Sequence, residues 1–391
     1  MEKTWRWFGK KDKITLPMLR QIGVEGIVTA LHDIPNGEIW SLEAINDLKK
    51  YIADAGLRWS VVESLPVSEA IKYGGKDTDR LIANYIQSLA NLGEAGITTV
   101  CYNFMPVIDW IRTDLFYPRA DGTSSLFFDK IRFAYFDCMI LKRAGAEKDY
   151  TEAEMVKIHA LDKTITEAEK DSLIDTIIVK TQGFVNGNIK EGDKNPVSIF
   201  NNLLALYKDI DKDVLRENMR YFLSQIMPVC EEYGINMCVH PDDPPCPVLG
   251  LPRIVTSSED IEWILNAVDN PYNGLTFCAG SLSAGVHNDV PELARKFASR
   301  TRFVHLRSTD VFPNGDFIEA SHLEGRGHLI ELVRIFEKEN PSLPMRVDHG
   351  RLMLDDAGKA YNPGYSFLGR MYALAQMEGV IATVQDELNN H

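Results

Sequence analysis

No stretch of these 391 residues is long and apolar enough to span a bilayer, which argues against a helical membrane protein. The opening MEKTWRWFGKKDK interleaves charges with aromatic residues and lacks the continuous apolar core of a secretory signal, so a cytoplasmic protein is expected. Positive charge is scarce as well. The chain has 42 Lys and Arg against 56 Asp and Glu, for a formal charge of −14. With no basic block to compensate, nucleic acid is not expected as a partner, because neutralising phosphates needs a concentrated cationic face. The six cysteines form no CxxC pair, which removes the usual frame of a structural zinc site and fits reduced, mostly buried thiols. Glycine motifs for phosphates are missing too. Neither GxGxxG after a strand nor GxxxxGK(S/T) occurs, and the nearest string, Glu324-Gly325-Arg326-Gly327-His328, falls in a long loop. No nucleotide cofactor is expected.

What is present is the balance of a soluble globular chain, with 45% hydrophobic and 25% charged residues. Short β-branched or aromatic runs alternate with amphipathic stretches. TWRWFG, GIVTAL, RWSVVES and TTVCYNF read as strands in the first hundred residues, and INMCVHPD, GLTFCAGS, TRFVHLRS and MRVDHGR in the second half. Between them, Ser41 to Ala55 spaces Leu42, Ile45, Leu48 and Ile52 along one helix face and stops at Gly56. Thr78 to Ala95 repeats that design before Gly96, helices follow from Val214 onward, and a last one runs from Tyr365 towards Met377. Eight strand-helix units predict an α/β fold, a (β/α)8 TIM barrel, rather than a doubly wound sheet. The rhythm breaks between the fourth and fifth strands. Phe116 to Asp129 is aromatic, contains Gly and Ser, and reads as loop; Thr151 to Lys180 carries alternating charges at helical spacing. The expectation is one domain over 1–391 with a helical insertion at 105–213.

The four strands of the second half each end in a metal donor: His240, Cys278, His305 and Asp348. Parallel barrel strands bring their C-terminal ends to one rim, so the four would meet there. Nitrogen, sulfur and oxygen donors suit a divalent transition metal, and two His, one Cys and one Asp leave coordination positions open for chemistry. A second set of polar residues surrounds them. His349 and Tyr365 are proton-transfer candidates, while Arg307 and Arg351 offer forks for a substrate carboxylate. His32, His287 and His322 lie in loops suited to hydroxyl contacts, and Cys246, in PDDPPCPVLG, fits either a substrate contact or a plain loop position.

The segments GIVTALHDIPNGEIW, VHPDDPP, FCAGSLSAG, FVHLRS, VDHGR and the late PGY resemble the mannonate dehydratase family of the xylose-isomerase-like barrel superfamily. The resemblance implies metal binding by His240, Cys278, His305 and Asp348, and proton transfer by His349 and Tyr365. It further implies a manganese ion, with iron as the alternative, a homodimer, and a small sugar-acid substrate. The reaction would be loss of water from D-mannonate to give 2-keto-3-deoxy-D-gluconate in hexuronate (glucuronate) catabolism. Two other readings stand beside it. One is a metal-dependent sugar isomerase or epimerase on the same barrel; the other is a non-catalytic metabolite-binding barrel.

Overall fold

In the computed structural model, residues 1–182, 189 and 192–390 are described. Four parallel strands open the chain: β1 (Glu2–Arg6), β2 (Gly26–Thr29), β3 (Arg58–Glu63) and β4 (Thr99–Tyr102). Between β4 and the next barrel strand lie β5 (Asp114–Pro118), β6 (Ser124–Phe128), a group of short helices and the long helix Lys212–Tyr233. The barrel resumes with β7 (Asn236–Val239), β8 (Asn273–Cys278) and β9 (Thr301–Leu306). A short hairpin follows, β10 (Thr309–Val311) and β11 (Phe317–Glu319), and β12 (Pro344–Val347) completes the set. The closed barrel has the order β1-β12-β9-β8-β7-β4-β3-β2, and every neighbouring pair is parallel. It is the TIM barrel expected from the alternating pattern.

The outer helices form where the apolar spacing places them. Leu42–Asp54 buries Ile45, Leu48 and Ile52, and the Ser41 hydroxyl accepts from the Ala44 N–H at its start. Just past its end Gly56 takes φ +75°, a left-handed turn that glycine adopts without a Cβ clash. The last helix, Phe367–Asn389, differs from its expected extent. Tyr365 precedes it, and it continues well past Met377 because Ile381 and Val384 prolong the buried stripe of Ala373, Leu374 and Met377. Among the described residues no helix is long and apolar enough to cross a membrane.

The main core lies between strands and helices, while a separate cluster from four strands, Val28, Val61, Cys101 and Phe303, plugs the barrel interior. Each fully buried Val, Leu, Ile or Phe contributes roughly 1.5–3 kcal/mol by leaving water. Residues 107–207 hold a further apolar cluster, including Ile111, Phe133, Phe136, Ile158, Ile177 and Phe200, that is joined to the barrel through Val248, Leu249 and Leu251. Two of its helices, Glu152–Asp162 and Glu167–Ile174, start with capping boxes at Thr151/Glu154 and Thr166/Glu169.

The loop-like reading of Phe116 to Asp129 needs correction. This segment belongs to a four-stranded antiparallel sheet, β10-β11-β6-β5, with β5 and β6 joined through Asp121-Gly122. Asp-Gly is a strong local signal for a hairpin. The partner strand lies far away in sequence, since β6 pairs Phe127 and Phe128 with Ile318 and Phe317 of β11. Local composition carries no trace of that pairing.

Candidate active site

His240 stands immediately after β7, Cys278 is the last residue of β8, His305 the penultimate one of β9, and Asp348 follows β12. Parallel register therefore puts all four at one end of the barrel. Donor atoms of His240, Cys278 and His305 lie within 4.8 Å of one another. His240 Nε2 is 3.2 Å from His305 Nδ1, and His240 Nδ1 is 2.7 Å from the Pro241 carbonyl. The Cys278 sulfur accepts from Ser281 Oγ at 3.1 Å and from Arg307 Nη2 at 3.4 Å. Asp348 is at the edge of this group, with its Oδ2 3.9 Å from the Cys278 sulfur. Its carboxylate also meets Arg346, Arg307 Nε at 2.9 Å and the Tyr365 hydroxyl at 3.4 Å.

The two proton-transfer candidates meet across Asp348. His349 Nε2 is 3.9 Å from Asp348 Oδ1, the oxygen to which Tyr365 donates, and the His349 and Tyr365 rings sit edge-on with centroids 5.1 Å apart. Phe8 contacts the other side of Tyr365 at 5.0 Å, and Trp110 packs on His349 at 5.0 Å. Both groups are almost wholly withdrawn from solvent.

Burial and charge work against each other here. Burial alone would push the Cys278 thiol up, yet the Arg307 guanidinium and the His240 imidazole bring it well below the usual thiol range. Burial would lower His240, but the facing Cys278 sulfur raises it to about 9. Asp348, despite desolvation, is held well below the ordinary carboxylate range by Arg346, His349 and Arg307. Tyr365 is raised, first by burial and then by the charge on Asp348.

Of the other residues singled out in the sequence, Arg307 and His322 join this group. Arg307 is buried, and its fork goes to Glu319 at 2.6 Å, Asp243 at 2.8 Å and Asp348. Arg351 is at the rim, paired with Asp121 of the β5–β6 turn. His322 is buried beside Asp348 and Glu319, and burial lowers it to about 4; its Nε2 has no hydrogen-bond partner among the described residues. His32 is exposed, its ring 6.0 Å from Phe8. His287, also exposed, places Nε2 2.9 Å from the Thr256 carbonyl.

Sequence reading missed a charged lattice around the donors. Glu63, the last residue of β3, accepts a two-pronged contact from Arg346, with Nε to Oε2 at 3.0 Å and Nη2 to Oε1 at 2.8 Å. Its Oε2 is also 3.5 Å from His305 Nε2. Glu63 ends a strand just as the four donors do, so the same signal could have found it. Arg112, Asp243 and Glu319 form a second buried group with Arg307, in which Arg112 meets Asp243 at 2.8 Å and Glu319 at 2.5 Å. Glu319 came from the unforeseen β10–β11 hairpin.

The residues fit a divalent metal. Two imidazoles and a depressed thiol converge in a buried space, a nitrogen and sulfur donor set that suits a divalent transition metal. The D-mannonate dehydratase (UxuA) family model matches residues 1–391. This chain belongs to the mannonate dehydratase family. It is similar to a mannonate dehydratase of Marinomonas sp. (strain MWYL1), 46% identical over 390 residues that cover 97% of this chain and 98% of that one. It is also similar to a mannonate dehydratase of Chromohalobacter salexigens, 44% identical over 394 residues, 98% of this chain and 99% of that one. The crystal structure of mannonate dehydratase from Streptococcus suis serotype 2 superposes with a TM-score of 0.80 at 32% identity, over 99% of this chain and 96% of that one. Membership makes the protein a carbon-oxygen lyase of the hydro-lyase type, and its barrel mouth is where a mannonate dehydratase of this architecture would work.

Proposed function

We propose that the protein removes water from D-mannonate in a metal-dependent reaction, releasing 2-keto-3-deoxy-D-gluconate as a step of hexuronate breakdown. The observation that carries this reading is the meeting of His240, Cys278 and His305 beside a Tyr365–Asp348–His349 array. His240, Cys278 and His305 would hold the ion, with Asp348 adding a carboxylate oxygen. A bound divalent ion, manganese in our reading and iron as the alternative, supplies the positive charge that lets a C2 hydrogen beside a carboxylate leave.

The chain's own groups move the protons. One of Tyr365 and His349 takes the C2 proton, and the electron pair of the C2–H bond becomes the C2–C3 double bond. The other donates a proton to the C3 hydroxyl, which leaves as water. The resulting enol gains a proton at C3 and becomes the 2-keto acid. Burial around Tyr365 and His349 keeps bulk water from competing for those protons. Arg351 at the rim is our choice for the substrate carboxylate, with Arg307 supporting the site from behind Cys278 and Asp348. His322, and more peripherally His32 and His287, are assigned to substrate hydroxyls. We further assign the protein a cytoplasmic setting, a homodimeric state and no nucleotide cofactor.

The test follows product formation from D-mannonate by purified protein, before chelation, after chelation and after manganese add-back. Product that disappears with chelation and returns with the metal is expected. Folded protein that makes no 2-keto-3-deoxy acid with any divalent ion would refute the reading. Tyr365→Phe and His349→Asn should each lose at least about 100-fold in turnover while retaining metal. Normal turnover in either variant would remove that residue from the mechanism.

A further inference from the structure

His349 is the one proton-transfer candidate whose ring is held by a carboxylate on its far side. Its Nδ1 is 3.0 Å from Glu319 Oε1, and that oxygen also accepts from Arg112 at 2.5 Å and from Arg307 at 2.6 Å. Asp243 closes the group, accepting from Arg112 at 2.8 Å and 3.2 Å and from Arg307 at 2.8 Å. Two guanidiniums and two carboxylates thus balance inside the protein, each residue at most 3% exposed. A balanced buried group resists rearrangement, because freeing any member would leave an unpaired charge in a low-dielectric space. Trp110 and Tyr365 pack on the His349 ring and restrict its rotation.

We infer that Glu319 is a positioning residue for the dehydration: it fixes the proton of His349 on Nδ1 and leaves Nε2 as the nitrogen that faces the reacting atoms. The inference rests on the dehydratase reading for its kinetic consequence and on geometry alone for its structural one. Glu319 acts through His349, whose Nδ1 its Oε1 meets while the same oxygen is held by the two guanidiniums. Arg112 gives the arrangement its origin outside the barrel. It lies between β4 and β7, whereas Glu319 belongs to β11, so the sheet that joins β6 to β11 sets Glu319, with Arg112 bonded to it, against a histidine at the end of a barrel strand. A carboxylate behind a catalytic imidazole generally sets tautomer and orientation without itself taking the proton.

Two measurements test this on the full chain. The first is the 15N spectrum of histidine-labelled, chelated protein, with the His349 signals identified by their absence from His349→Asn. A His349 that carries a proton on Nδ1 is expected in the unaltered protein, and a shift towards the Nε2–H form in Glu319→Gln. An Nε2–H tautomer in the unaltered protein would overturn the inference, even if Glu319→Gln fails to fold. The second is the kinetics of manganese-loaded Glu319→Gln on D-mannonate, expected to show kcat lower by about 100-fold with KM changed less than about 3-fold. An unchanged kcat in folded Glu319→Gln, or a loss expressed mainly in KM, would also overturn it. If the unaltered chain leaves D-mannonate untouched, the dehydratase reading fails, and the 15N spectrum still decides whether Glu319 holds His349.

Discussion

Two layers of the same barrel interior, two residues apart along the strands, have opposite chemistry. The lower layer is the apolar plug of Val28, Val61, Cys101 and Phe303; the upper one holds Glu63, His305, Arg346 and Cys278. Side chains alternate along a strand, so Val61 and Glu63 share one face, as do Phe303 and His305, and a rise of roughly 6–7 Å separates hydrocarbon from charge. Phe303 and His305 touch edge to face, with ring centroids 4.6 Å apart. The plug closes the barrel from below, so the charges above it answer to one another rather than to water. That is why Arg346 pairs in full with Glu63 and Asp348, and why the His240, Cys278 and His305 donors are left for a metal.

Substitutions that separate the layers test this division. His305→Gln should reduce metal affinity by at least about 100-fold, the upper end of what outer partners of a metal site alone cost, and should abolish metal-dependent turnover. Its urea midpoint should move little without metal. Phe303→Ala should do the reverse, lowering stability by about 3–5 kcal/mol through the cavity it leaves, with metal stoichiometry kept in whatever protein remains folded. Metal titration and urea unfolding on both variants read the two effects; matching profiles would mean that the layers are not separate.

A pH series sharpens the contrast. Glu319 is desolvated, but Arg307 and Arg112 hold its carboxyl at about 2, below its ordinary 4.5. Lowered in the folded state, it contributes stability that is complete above about 4.5 and is lost as the pH falls towards 2. The plug has no group that ionises with it in that range. The stability lost to Phe303→Ala should therefore be constant from pH 7 down to 4.5, while the unaltered protein weakens below 4.5 and Glu319→Gln weakens less steeply. Smallest of all, Arg351→Ala at the rim should leave stability within about 0.5 kcal/mol, since its partner Asp121 is half exposed, and should raise KM for D-mannonate.

The upper layer was partly legible in the sequence because its donors end strands whose hydrophobic runs are continuous. A run such as INMCVHP or GLTFCAG marks both the strand and the position where it stops, and parallel pairing does the rest. Cys278 and His305 are read that way, and Glu63 could have been. Arg346 was not legible as a partner of Glu63, because β3 and β12 do not pair directly and only barrel closure brings the two across. Arg112 and Glu319 lay further out of reach. They depend on the β6–β11 pairing, which links residues far apart in the chain, through a strand that composition presented as loop. Asp348 shows a different limit: its place after β12 was read correctly, but its company of two arginines depends on Arg307 just past β9 and Arg346 of β12 turning towards it.

The most direct measurement is the anomalous-scattering map of crystals grown with manganese, for the unaltered protein and for Cys278→Ser. One peak per chain, in bonding contact with His240, Cys278 and His305 and weakened or lost in Cys278→Ser, is the predicted result. Manganese located away from those three side chains, or none bound by protein that dehydrates D-mannonate at full rate, would contradict the account.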